Sequence, residues 1–438
     1  MQCDIISCNN MRIGLFTDSY RPSINGIVYV VESLKRELEA LGHEVFVFCP
    51  AKTINPSKDD DQTDNGHIIR FPSLKGAFFD DYDTSIFFPP RELMRIKKLE
   101  LDVIHIFTPS QIGLIGVRAS HKYEIPCVIQ HCTDMYEFAE HYPAVLPGIL
   151  ALAGIIFPMS VKLKARDVGR IVKLYRPRGV TKWNKDIIET VITMLYSKAD
   201  AVIALSRKSR DQLASWQGQD YRYNITLMPN GVNALPRPNA DKLAEFRQNW
   251  GFKASDEIFG FVGRLGEEKN LDILITAFDK YIAKARPKSK LLFVGDFEYR
   301  KVLEEKAAAT KYADRIIFTG ALPREELGVV YETLDVFCFT SLKDTQGWVL
   351  HEAAHASKPI VIIDRQVSEV VRDGESGIFV NNKPKSVADG VIKLLGSPKK
   401  RQEYGAMSKK LASKYTERRQ VRKLEALYQE VIDQRASA

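Results

Sequence analysis

Two patterns of apolar and polar positions alternate along the chain. MRIGLFT, from Met11, is a compact apolar run, and a loop with Pro22, Asn25 and Gly26 follows it. Across IVYVVESLKRELEALGHE the apolar positions recur at helical spacing and stop at Gly42. EVFVFCP is the next uninterrupted apolar run. Strand, helix, strand with fully apolar strands predicts the start of a parallel, doubly wound sheet. HIIRFPS, LDVIHIF, IPCVIQH and ADAVIALS predict further strands, with helices near Gly113 and from Arg207, and the acidic NPSKDDDQTDNG reads as a loop. After NITLMPNGVN a second series begins: EIFGFVGRL, SKLLFVGDF, RIIFTGAL, DVFCFTS, KPIVIID and GIFV, with helical patterns between most of them. The expectation is two α/β units joined near Pro229–Pro238, spanning 1–228 and 229–417. RRQVRKLEALYQEVIDQR then forms a charged amphipathic helix over 418–438.

Composition changes this picture little. A chain of 438 residues is long enough for two cores, and 45% hydrophobic with 27% charged residues is ordinary for a soluble globular protein. The formal net charge of +8 matters only where it is clustered. Cys3, Cys8, Cys49, Cys127, Cys132 and Cys338 form no C-x-x-C pair, and reduced core thiols in the cytosol are the expectation. MQCDIISCNN has no basic region followed by an apolar stretch, so it does not read as a signal peptide. AVLPGILALAGIIFPMSV, from Ala144 to Val161, carries no charge but holds Pro147 and Pro158. A buried helix, an interfacial segment and a membrane span all remain open for it.

Open α/β sheets bind ligands beyond the carboxyl ends of their strands, so the loops after strands are where chemistry is sought. Gly26 lies just before a helix N-terminus, where backbone amides and the helix dipole favour a phosphate; the alternative is a glycine that only permits a turn. Arg264 and Lys269, in FVGRLGEEKN, place two cations after one strand, suited to a diphosphate. In DVFCFTSLKDTQGWVLHEAAHAS, Asp344 sits in the loop and Gln346, Gly347 and Trp348 at the start of a helix. Glu352 lies inside that helix. Two carboxylates so spaced suit two hydroxyl-bearing groups. No G-x-G-x-x-G fingerprint and no Walker A motif is present, which argues against a dehydrogenase or a P-loop enzyme.

From GLFTDSYRPSINGIV through LMPNGV, GFVGRLGEEKN, VGDF and DTQGW to VRDGESGIFV, the ordered motifs resemble the retaining GT-B glycosyltransferases that use a nucleotide sugar. Their signature is Glu, seven residues, Glu, then small residues and G-x-P-V-V. Here Asp344 takes the first place, Glu352 the second, and SKPIV follows. The resemblance implies two Rossmann-like lobes facing each other across a cleft, with the C-terminal helix crossing back to the first lobe. It implies that Glu352 binds the ribose hydroxyls, and that Asp344 with the backbone of Gln346–Trp348 binds the donor sugar. Arg264 and Lys269 would neutralise the diphosphate leaving group, and Gly26 would approach that group from the first lobe. No cofactor and no metal is implied, since the cations take the charge role and no Asp-x-Asp motif sits in a matching loop. Asp344 is one methylene shorter than the usual Glu, which bears on the choice of donor sugar.

QHCTDMYEFAEHYP resembles the acceptor-side loop of the branch that glycosylates diacylglycerol and related lipids. Tyr136, Glu137 and His141 stand in register with that branch; Cys132 takes the place of its first His. His131 and Asp134 are the catalytic candidates beside the acceptor hydroxyl, with packing as the alternative for His131. The first unit carries a basic and apolar insertion near 143–195, in which Lys162, Lys164, Arg166 and Arg170 lie beside apolar and aromatic residues. That mixture suits an anionic membrane surface, the alternative being a solvated helix face. No nucleic-acid motif accompanies the charge. The resulting expectation is a peripheral, cytosolic hexosyltransferase that moves glucose from UDP-glucose to a lipid such as diacylglycerol, with retention. GDP-mannose and a phosphoinositol, glycolipid or soluble sugar acceptor form one alternative. A membrane-bound regulator with a decayed sugar-nucleotide cleft forms the other.

Overall fold

A computed structural model describes residues 10–23, 25–51, 63–79, 82–85, 90–132 and 180–437. The chain divides into two compact units, Met1–Asn230 with Glu417–Ala438, and Gly231–Thr416.

The first unit is built on a seven-stranded parallel sheet. Its strands are β1 (Arg12–Phe16), β2 (Glu44–Pro50), β3 (Ile68–Phe71), β6 (Val103–Ile106), β7 (Cys127–His131), β8 (Ala201–Ala204) and β9 (Ile225–Leu227). Their order across the sheet is β3-β2-β1-β6-β7-β8-β9. β4 (Ser73–Phe79) and β5 (Tyr82–Ser85) form a separate antiparallel pair. The central strands are buried on both faces, which is why they read as unbroken apolar runs. The first helix, Gly26–Glu39, is capped by Asn25, whose Oδ1 accepts from the amides of Ile27 and Val28. It buries Val28, Val31, Leu34 and Leu38, the one-sided stripe that the spacing predicted.

The last helix, Glu417–Ala436, belongs to this first unit. Val421, Leu424, Tyr428 and Val431 form its buried stripe. Tyr428 hydrogen-bonds the buried His105 Nδ1 at 2.6 Å, Glu425 meets His43 at 3.1 Å, and Arg435 pairs with Asp200 at 3.0 Å. Burial lowers the His105 pKa to about 3, so its ring is neutral.

The second unit carries a six-stranded parallel sheet in the order β12-β11-β10-β13-β14-β15. These strands are β10 (Glu257–Val262), β11 (Ser289–Val294), β12 (Ile316–Phe318), β13 (Val336–Phe339), β14 (Ile360–Ile362) and β15 (Gly377–Phe379). Phe259, Phe261, Leu291, Phe293, Phe337 and Phe339 lie at the centre of its core. Val232 N donates to Tyr415 O at 2.9 Å, so the two ends of this unit are bonded side by side.

Each sheet has a point where strand order reverses, the place where open α/β sheets leave a crevice. In the first sheet it lies between β1 and β6, and in the second between β10 and β13. Cys49, Cys127 and Cys338 are buried free thiols. Among the described residues no helix is long and apolar enough to cross a membrane. The apolar segment 144–161 lies outside the described residues.

Candidate functional site

The loops that leave β10 and β13 meet at the second unit's reversal point. After β10 the backbone turns through Gly263, whose φ of +140 suits glycine, and it passes so close to Gly295 that a side chain at Gly295 would strike the Gly263 carbonyl. The loop then carries Arg264 and ends in a short 3-10 turn at Glu267–Lys269, closed by Asn270 in the left-handed region. Thr340, just after β13, donates to the Lys269 carbonyl at 2.9 Å, and Asn270 Nδ2 donates to Thr340 O at 3.3 Å. These bonds tie the two loops together and fix where Lys269 stands.

The cations are held by acids. Lys269 Nζ donates to Asp344 Oδ1 at 2.7 Å, with Glu268 at 3.9 Å on its other side. Arg264 donates to Glu268 Oε1 at 3.1 Å and lies over the Phe297 ring at 4.5 Å. The Arg264 side chain is 49% exposed and that of Lys269 is 14% exposed. Asp344, the short acid of the signature, is thus the counter-ion of Lys269. Glu268 was not singled out from sequence; its place between two candidate cations in R-L-G-E-E-K was the available signal.

Gly347 starts the helix Trp348–His355 in the left-handed region, at φ +66. A side chain there would press on Leu350 and Phe339, so this glycine serves the turn itself. Gln346 is buried, with Nε2 facing His351 Nε2 at 3.5 Å. Burial lowers the His351 pKa to about 3, which leaves that ring neutral.

Glu352 is more enclosed than the sequence suggests. It is 2% exposed, yet three donors converge on its carboxylate. Arg324 Nη1 reaches Oε1 at 2.7 Å, Trp348 Nε1 reaches the same oxygen at 3.1 Å, and the Tyr331 hydroxyl reaches Oε2 at 2.9 Å. Burial first, and the Glu352 charge next, raise the Tyr331 pKa well above its usual value, so the phenol stays protonated and donates. Neither Arg324 nor Tyr331 was found from sequence. Arg324 follows β12 directly, so the search of loops after strands would have reached it in LPREELGVVYE.

In the first unit the candidates fare differently. Gly26 is exposed at the start of its helix, takes no left-handed conformation, and a side chain there would meet nothing within 4 Å. The turn does not require glycine, and the open space over it admits a close approach. His131, named with packing as its alternative, stands at the end of β7 among aromatic rings. It is 1% exposed, its Nδ1 hydrogen-bonds Tyr196 at 2.9 Å, and its ring packs edge-on against Tyr196 and Trp216. Cys132, next to it, accepts from Gln130 Nε2 at 3.1 Å. Asp134, Tyr136, Glu137, His141, Lys162, Lys164, Arg166 and Arg170 lie outside the described residues. The first unit's reversal point is filled by Asp18, whose carboxylate accepts from Thr108 Oγ1 and from Ile112 N at 2.9 Å. Among the described residues one trio, Glu39, Asp64 and His67, brings possible metal-ligand atoms within 4.8 Å of one another. Lys35 Nζ already pairs with both of its carboxylates.

Comparison with known proteins agrees with this geometry. The family model "Glycosyltransferase Family 4" matches residues 24–234, and "Glycosyl transferases group 1" matches residues 243–411. The α-monoglucosyldiacylglycerol synthase of Acholeplasma laidlawii is 28% identical over 97% of this chain and 98% of its own length. The enzyme of the same name from Streptococcus pneumoniae is 29% identical over 80% of this chain and 70% of its own length. A GDP-mannose-dependent α-mannosyltransferase of Corynebacterium glutamicum is 24% identical over 80% of this chain and 72% of its own. Among solved structures, Anabaena HepE in complex with UDP and glucose superposes with a TM-score of 0.66, at 17% identity, over 96% of this chain and all of that one. Two Rossmann-like units, paired cations at the second reversal point and both family matches lead to one conclusion: the chain belongs to the GT-B glycosyltransferases.

Proposed function

We propose that the protein is a retaining glucosyltransferase that moves glucose from UDP-glucose to diacylglycerol and releases UDP, forming an α-glycolipid. The observation that carries this reading is the Lys269–Asp344 ion pair, flanked by Arg264, at the second reversal point. A diphosphate leaving group gains negative charge as the glycosidic bond breaks, and preplaced cations lower that barrier most. Asp344 and Glu268 neutralise the cations, and the diphosphate would exchange for these acids. Glu352 takes the ribose hydroxyls, and Asp344 with the turn at Gly347 lies toward the sugar. Attack from the same face as departure, with the leaving diphosphate taking the acceptor proton, accounts for retention. Arg264 and Lys269 take the role that a metal ion fills elsewhere, so the reaction proceeds without one.

Glucose and diacylglycerol are supported by the names of the Acholeplasma and Streptococcus relatives, at 28% and 29% identity. The mannosyltransferase relative, at 24%, supports GDP-mannose as the second donor. The acceptor reaches the enzyme from the bilayer, and the protein binds the cytosolic face peripherally through its basic and apolar insertion. Incubation with UDP-glucose and diacylglycerol in mixed micelles tests this: α-monoglucosyldiacylglycerol is the expected product. Transfer only from GDP-mannose, or only to soluble sugars, would overturn it.

A further inference from the structure

We infer that Arg324 is a positioning residue of the donor site. It holds the buried Glu352 carboxylate in place, so that the acid can discriminate nucleotides by their ribose hydroxyls. The inference rests on the reading of Glu352 as the ribose-binding acid and extends it to a residue outside the family signature.

The geometry points this way for three reasons. First, Glu352 is 2% exposed, and a polar group so buried needs hydrogen-bond partners of its own. Arg324 Nη1, at 2.7 Å, is the cation that bonds it, and Arg324 is itself 30% exposed. Second, the donors are arranged in two layers. Tyr331 is fully buried and holds Oε2 from the core, while the partly exposed Arg324 and Trp348 hold Oε1 from the solvent side. The Arg324 guanidinium lies 6.0 Å from the Trp348 ring, so the indole and the guanidinium frame the same oxygen. Third, the carboxylate is not saturated. A carboxylate offers about four acceptor positions and three are used here, leaving Oε2 able to accept a hydroxyl. A ribose hydroxyl that reaches the open position on Oε2 meets an acceptor whose rotamer is fixed through Oε1. Without Arg324 the carboxylate would be free to turn away, and the hydroxyls would lose their partner.

Affinities for UDP and GDP, each compared with its 2′,3′-dideoxy form, read this directly in the full-length protein by titration calorimetry. The wild type is expected to bind the ribose form of its nucleotide about tenfold tighter or more than the dideoxy form, as for hydrogen bonds to a charged group. Arg324→Gln is expected to remove most of that ratio while leaving dideoxy binding unchanged. Arg324→Lys should restore part of it, and Arg324→Gln in a Glu352→Gln background should cost nothing further. Melting curves of the variants establish that they are folded. A wild-type ratio in Arg324→Gln, with the ratio lost in Glu352→Gln, would overturn the role of Arg324 and leave the ribose reading standing. A wild-type ratio in Glu352→Gln would overturn the ribose reading itself.

Discussion

Each sheet reverses its strand order once, and the two crevices are filled in opposite ways. In the first unit, Asp18 closes the gap between β1 and β6 with neutral partners, Thr108 and the Ile112 amide. In the second, the gap between β10 and β13 is bridged by Lys269 and Asp344, a charged pair at the edge of solvent. The first arrangement is a structural seal: burial raises the Asp18 pKa to about 6, and no cation stands among its hydrogen-bond partners. The second is an exchangeable contact, because an incoming anion can replace Asp344 on Lys269 without leaving a buried charge alone. The same topology thus supplies a strut in one unit and the candidate binding site in the other. What separates them is whether the group facing the acid carries a positive charge.

The sharpest way to break this contrast is Lys269→Ala. It should lower kcat/KM for the sugar nucleotide about a thousandfold, in the range seen when a main stabiliser of transition-state charge is removed. A loss below tenfold in steady-state assays would place the diphosphate elsewhere. Arg264→Ala should cost less, about tenfold, because its side chain is 49% exposed and solvent screens it. Gly347→Ala tests the turn that sets the donor helix: a left-handed alanine pressed on Leu350 should destabilise the protein by about 2 kcal/mol in denaturant melts. Asp18→Asn probes the seal. Because folding raises this carboxyl from 3.8 to about 6, the folded state holds the extra proton between those values. Its contribution to stability is therefore greatest near pH 4 and falls as pH rises to 6. The Tm difference between the wild type and Asp18→Asn should change across pH 4–6 and be flat above it. The smallest effect expected is none: EDTA should leave initial rates unchanged.

Much of this was readable in the sequence because parallel strands covered on both faces are written as continuous apolar runs. β1, β2, β6, β7 and β8 and the six strands of the second unit were all legible that way. β9 was not, since Ile225–Leu227 is an edge strand and only partly buried. The β4–β5 pair was missed too, lying in SLKGAFF and YDTS, which alternate weakly. In the candidate donor site, Arg264, Lys269 and Asp344 were visible as charged groups in loops after strands, and Glu352 in the helix that follows. Their pairing was not: Arg324 meets Glu352, and Lys269 meets Asp344, only once the loops after different strands converge. The Tyr196 partner of His131 was equally hidden, because it lies far along the chain.

The helix Glu417–Ala436 carries a consequence for the order in which the protein can be made. The second unit is one continuous stretch, Gly231–Thr416, whose ends are bonded to each other at Val232 and Tyr415. It can close while the ribosome is still adding the final helix. The first unit is translated earlier yet is finished later, because the buried His105 has no phenol to bond until Tyr428 has emerged. A chain that stops after Thr416 would keep every residue of the donor site and still leave Leu427, Tyr428 and Val431 missing from the first core. Premature termination should therefore expose the earlier-made unit to proteolysis while sparing the later one.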